Sequence, residues 1–239
     1  MLHILKTTED VLNAAAEYFV NTANEAIANQ EKFSVALSGG SSPKGLFELL
    51  ASKYQSQINW SKLFFFFGDE RYVPADHPDS NALMAKKALF DPLKIDARQI
   101  FAIDTSLEPG ACAEAYQKEI EAHFAPGPPN FDLILLGLGD DAHTASLFPH
   151  TRVVNAAEAG VKEIFVQDKQ VYRITFTAPL INQAHHIAFL VFGNTKAEAV
   201  HHVLQGDKDY NLYPAQLIQP ANGDVMWFMD EVAAVKLKT

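Results

Sequence analysis

Apolar residues fall into two patterns along the chain, short unbroken runs and longer segments that repeat every three to four positions. Residues 33–37, 63–67, 131–136, 187–192 and 225–229 are runs of strand length bounded by glycine, proline or polar residues, as expected of strands buried on both faces. Residues 162–166 and 171–177, joined by the polar turn 167–170, read as two more strands, and 98–103 as a short one. Val11, Leu12, Ala15, Phe19, Val20, Ala23 and Ile27 mark an amphipathic helix opened by Thr7-Thr8-Glu9-Asp10. Further helices are expected through Leu46 to Leu50, Leu83 to Leu89, 108–124 and 197–204, with a short last one over 230–235. Ser80 or Asn81 is the simplest N-cap for the helix through Leu83 to Leu89. Strands alternating with helices predict an α/β fold with a mostly parallel sheet covered on both faces. At 239 residues, one domain spanning 1–239 is expected.

Polar chemistry collects where these strands should end, and in open α/β sheets ligands bind outside the carboxyl ends of strands. Run 131–136 opens on Gly137 and Gly139 and continues at once into Asp140, Asp141 and His143. Asp140 reads as a turn or cap residue. Asp141 two residues before His143 reads as chemistry, because a carboxylate can orient an imidazole and stabilise its charged form, and His suits proton transfer near neutrality. Run 33–37 leads into Ser38-Gly39-Gly40-Ser41-Ser42-Pro43 and then a helix, an arrangement that points free N–H groups at an anion. It is neither a Walker motif nor G-x-G-x-x-G, and a plain turn of small residues has the same pattern. Gly39, Gly40, Ser41 and Ser42 are the candidates here, while Lys44 reads as a solvated helix residue.

Run 63–67 ends at Gly68-Asp69-Glu70-Arg71, either a solvated turn or charge at the same sheet edge. Arg173 interrupts an otherwise strand-like segment, where alternation could simply place it in water. Lys196 stands in a first helical turn, at the positive end of the macrodipole, which makes sense with an anion nearby. The doublets His185-His186 and His201-His202 lack H-E-x-x-H spacing and a cluster of further ligands, so no metal is expected. Trp227 reads as core.

The balance of 19 basic against 29 acidic residues argues against broad nucleic-acid binding, yet a few cations in one cleft can still hold an anionic ligand. Cys112 is the only cysteine, which excludes an internal disulfide and suits a reducing interior. The N-terminus lacks a basic segment followed by a long apolar one, and no run approaches the roughly 18 residues of a membrane span. A cytoplasmic protein without membrane or nucleic-acid partners, monomeric or weakly homo-oligomeric, is the expectation.

Taken together, Ser-Gly-Gly-Ser-Ser-Pro at 38–43, Gly-Asp-Glu-Arg-Tyr-Val-Pro at 68–74, Ser80-Asn81, Gly-x-Gly-x-Asp-x-His-Thr-Ala-Ser-Leu-Phe-Pro at 137–149, Arg173-Ile-Thr-Phe-Thr, Gly193-x-x-Lys196 and Trp227-x-x-Asp230 closely resemble the 6-phosphogluconolactonase pattern. The match runs in order over nearly the whole chain. The resemblance implies a Rossmann-like fold similar to glucosamine-6-phosphate deaminase and ribose-5-phosphate isomerase. It also implies metal-independent hydrolysis of 6-phospho-D-glucono-1,5-lactone, the second step of the oxidative pentose phosphate pathway, with no cofactor and with His143 as general base. Asp141 would then hold the imidazole. Arg71 and N–H groups around Gly139 would receive the oxyanion, Gly39 to Ser42 with Arg173 and Lys196 the phosphate, and Asp69 would contact substrate. Ala142 departs from the family's usual Gly, a cost of about 1 kcal/mol or more if φ is positive there, and His150 stands where Gly often follows Phe-Pro.

Rival readings are a sugar-phosphate isomerase or deaminase, a non-catalytic sugar-phosphate sensor and a serine esterase. The first wants a carboxylate shortly after the His, and residues 144–149 hold none. The second could dispense with His143. The third lacks G-x-S-x-G, and Ser146 most simply occupies a helix turn.

Overall fold

The computed structural model describes residues 1–238. Strands β1 (Leu2–Leu5), β2 (Phe33–Leu37), β3 (Leu63–Phe67), β5 (Leu133–Gly137), β8 (His186–Val191) and β9 (Asp224–Asp230) form a six-stranded sheet in the order β1-β9-β8-β5-β2-β3. All of its pairings are parallel. Strands β4 (Asp69–Arg71), β6 (Val161–Val166) and β7 (Val171–Phe176) form an antiparallel sheet in the order β4-β7-β6. The helices are α1 (Thr8–Gln30), α2 (Ser41–Lys53), α3 (Asn81–Ala85), α4 (Asp91–Leu93), α5 (Pro109–Phe124), α6 (Ala178–Ile181) and α7 (Ala197–Gln205). A wider turn over Lys86–Phe90 joins α3 to α4 without a break. No helix among the described residues is long and apolar enough to cross a membrane.

Neighbouring residues of β2 show that both faces of the parallel sheet are covered, since successive side chains point to opposite sides. Phe33 meets Phe19 of α1 edge-on at 5.5 Å, whereas the Ser34 hydroxyl lies 2.9 Å from His123 of α5. The all-buried pattern of β2 follows, and with it the unbroken apolar run. Trp227 lies in the core, stacked on Phe189 of the adjacent strand at 3.9 Å. Helix α1 starts at the expected place, with Thr7 and Asp10 forming a reciprocal capping box.

Strand order places the ligand crevice. From β2 the chain winds outward through α2 to β3, but β5 returns on the other side of β2, and the chain continues from there toward β8 and β9. Connections leaving β2 and β5 therefore run in opposite directions, which opens a gap above their carboxyl ends.

Three local expectations are corrected and one open choice is settled. Residues 98–103 make only a 3₁₀ turn and one bridge, Ile100 to Phe65, because the Gln99 amide bonds back to the carbonyls of Trp60 and Leu63. Of residues 230–235, Asp230 ends β9 and the rest form turns rather than a helix, with the Asp230 carboxylate spent on the amides of Gly193 and Ala233. Residues 69–71, open between a solvated turn and charge at the sheet edge, form a strand at that edge. Ser146 sits in a buried turn, not a helix.

Candidate active site

The carboxyl ends of β2, β3, β5 and β8 surround a cavity of about 280 Å³, just below the roughly 300–1,000 Å³ usual for small-molecule sites. His143 lines it, as do Gly39, Gly40, Ser41, Ser42, Asp69, Arg71, Gly139, Arg173 and Lys196. Of the candidate catalytic and binding residues only Asp141 stands outside, behind His143 at the edge of a neighbouring groove.

The β5 loop holds the imidazole from three directions. The Asp141 carboxylate pairs with His143 Nδ1 and also accepts the His143 amide at 3.2 Å. Phe148 stacks on the ring at 4.1 Å between centroids. With Nδ1 occupied, Nε2 is the nitrogen left for a substrate. Burial raises the Asp141 carboxyl, but the hydrogen bond from His143 and the opposite charge outweigh it, leaving the group below its ordinary value.

Gly139 is where the loop needs a missing side chain. A Cβ there would overlap both the imidazole and the Asp141 carboxylate. Its amide, however, donates to the His143 carbonyl at 2.8 Å, so among the N–H groups expected around Gly139 its own is not free. Ala142 has φ 61° and His150 φ 60°, so both departures from glycine carry the left-handed backbone that makes them costly.

At the end of β2, Gly40 has φ 103° and precedes α2 with no side-chain cap. The first amides of α2, at Ser41 and Ser42, are the ones that intrahelical bonding leaves unused. Gly39 lets the chain pass against Asn81, whose amide would collide with any Cβ at that position.

Arg71 and Arg173 are register partners on β4 and β7, an opposition of like charges that costs energy unless an anion answers it. Arg71 donates to the Asp79 carbonyl at 2.7 Å, and Arg173 lies 3.8 Å from Asp69. Both Nε atoms are buried without partners. Burial lowers Arg173 from the usual guanidinium value, Asp69 pulls it back up and the facing Arg71 presses it down again.

Asp69 and Glu70 are buried, not solvated. Asp69 accepts the Ser146 hydroxyl at 2.6 Å. Glu70 accepts the amides of Arg71, Asn81 and Ala82 and the Ser80 hydroxyl, which fastens the start of α3 to β4. Ser80 is the N-cap of α3, as expected. Burial raises the Glu70 carboxyl against these bonds. Lys196 has its anion within the chain, in Asp140 at 2.5 Å, so Asp140 is an ion-pair partner and not simply a turn residue.

Sequence reasoning passed over Asn81 and Lys169, which also line the cavity. Asn81 could have been found from its place beside Ser80 in the shared pattern; Lys169, in a polar hairpin turn, gives no such signal.

Comparison with known proteins gives the family and the fold. The family model for glucosamine-6-phosphate isomerases/6-phosphogluconolactonase matches residues 6–227. A 6-phosphogluconolactonase of Nostoc sp. is 39% identical over 241 residues, covering 99% of this chain and 98% of that protein. The structure of a 6-phosphogluconolactonase from Trypanosoma cruzi is similar with a TM-score of 0.90 at 27% identity, over 100% of this chain and 97% of that one. A monomeric glucosamine-6-phosphate deaminase, 20% identical with a TM-score of 0.83 over 98% of each chain, shares the Rossmann-like α/β fold.

Proposed function

The chain belongs to the glucosamine-6-phosphate isomerase/6-phosphogluconolactonase family, and from that membership and the cavity we propose that it hydrolyses 6-phospho-D-glucono-1,5-lactone to 6-phospho-D-gluconate. The observation that carries the reading is the Asp141–His143 pair set at the rim of a cavity whose remaining polar groups are mostly cations and helix-start amides. Such a site offers a proton acceptor at one end and an anion holder at the other.

Chemically, His143 Nε2 takes a proton from water as the water oxygen attacks the lactone carbonyl C1. The carbonyl electron pair moves onto oxygen, and the Arg71 guanidinium donates to that charge. Collapse breaks the bond from C1 to the ring oxygen, which leaves with the proton returned by the imidazolium. The new carboxylic acid then ionises, so each turnover releases one proton. Asp141 keeps the imidazole in one tautomer and balances its charge while it is protonated. Gly139 serves by leaving room for this pair. The phosphate rests on the Gly39 to Ser42 loop beside Arg173 and Lys196, with Asp69 steadying Arg173. A lactone hydrolyses without a covalent nucleophile, and this route assigns no step to a metal.

The same reading places the protein in the cytoplasm as a step of the oxidative pentose phosphate pathway, acting as one domain, alone or in a weak homo-oligomer. Its support is the family membership together with the single cysteine. Proton release from freshly generated 6-phosphogluconolactone, with unphosphorylated gluconolactone as control, tests it. Release well above the spontaneous rate with the phosphorylated lactone is expected; a rate equal to spontaneous hydrolysis contradicts it.

A further inference from the structure

We infer that Lys169, in the turn between β6 and β7, binds the phosphate of the substrate and supplies the net positive charge that the other cations at that end do not. The inference deepens the lactonase reading and rests on it for the identity of the anion.

Two of the cavity's cations are answered within the protein, and Arg71, which has no ion pair among the described residues, is the donor assigned to the lactone oxygen. Arg173 lies 3.8 Å from Asp69, and Lys196 lies 2.5 Å from Asp140, so each brings its own counter-ion. The amides at the start of α2 offer partial charge only. A phosphate monoester carries nearly two negative charges at neutral pH and needs more than this. Lys169 lines the same cavity and forms no ion pair among the described residues.

Its position ties it to the reacting end as well. Lys169 Nζ lies over the Phe148 ring at 5.2 Å, and the Arg173 guanidinium lies 5.9 Å from that ring, so the two cations flank one aromatic group. Phe148 in turn stacks on His143. An ammonium over a phenyl ring is held weakly, and its flexible stem can turn toward a phosphate without breaking an ion pair. The hairpin is anchored through β7, which carries Arg173, so Lys169 arrives in fixed register with the guanidinium it assists.

Two variants and two readouts test this. In Lys169→Met, KM for 6-phosphogluconolactone should rise about tenfold with kcat changed less than about twofold, so that preference for the phosphorylated over the unphosphorylated lactone falls about tenfold. Lys169→Arg should recover most of it. Calorimetric affinity for 6-phosphogluconate should fall by the same factor in Lys169→Met, a measurement that needs no turnover and stands even if the native protein proves not to be a lactonase. Unchanged affinity, or equal losses on both lactones, would overturn the inference.

Discussion

At residue 142 the backbone and the side chain disagree. Ala142 adopts φ 61°, a region that costs a residue with a Cβ about 1–2 kcal/mol, yet its methyl is buried. Replacing it by Gly relieves the strain but loses the packed methyl and frees the unfolded chain, so Ala142→Gly should shift stability by less than about 1 kcal/mol. Ala142→Val adds bulk and a branched Cβ at the same φ and should cost about 2 kcal/mol or more. Urea unfolding of the two variants measures the difference, and equal effects would show that φ is not what constrains this position. The carboxylate, imidazole and glycines were legible at this scale because their types and spacing carry the chemistry. Asp140 and Lys196 were each noticed but not joined, since 56 positions of sequence separate the partners of one ion pair.

Among the elements, β4 shows what composition conceals. Asp-Glu-Arg reads as solvated charge, and nothing local reveals that Asp69 and Glu70 are buried, because the hydrogen bonds that make burial tolerable come from residues 80–82 and 146. Glu70 is thereby the piece that locks α3 to the second sheet. Glu70→Gln sets an NH₂ group against backbone donors and should destabilise the protein by about 2–3 kcal/mol, whereas Ser80→Ala, which removes one cap, should cost about 1 kcal/mol. Denaturant midpoints compare the two, and a milder effect at Glu70 than at Ser80 would contradict the role given to this carboxylate. Edge strand β1 also escaped notice, since its exposed and half-buried positions alternate over only four residues. The runs buried on both faces were the readable ones.

For the whole molecule, global stability should depend on pH through the underside of the sheet as well as through its site. His123 sits among Phe64, Phe66, Phe101 and Phe124, and burial, helped by the charge of Lys32, pushes its imidazole down to about 4. The unfolded chain binds that proton more readily, so the contribution is present above about pH 6.5 and is lost as pH falls toward 4. Glu70 and Asp132, both raised chiefly by burial, act in the opposite sense near the carboxylate range. Urea midpoints should drop between pH 7 and pH 5 in the native protein, and His123→Leu should flatten that slope; an unchanged slope would place the acid sensitivity elsewhere. Topology does the remaining work, because the parallel order carries four separate loops to one edge, and a sequence shows the loops but not their meeting. That convergence is tested most directly by His143→Asn, assayed both for proton release from 6-phosphogluconolactone and for 6-phosphogluconate binding. The expected result is turnover reduced at least about a hundredfold with product affinity within about twofold of native. Turnover near the native rate, or loss of both together in a folded protein, would contradict a cavity divided into an imidazole that moves protons and a separate holder for phosphate.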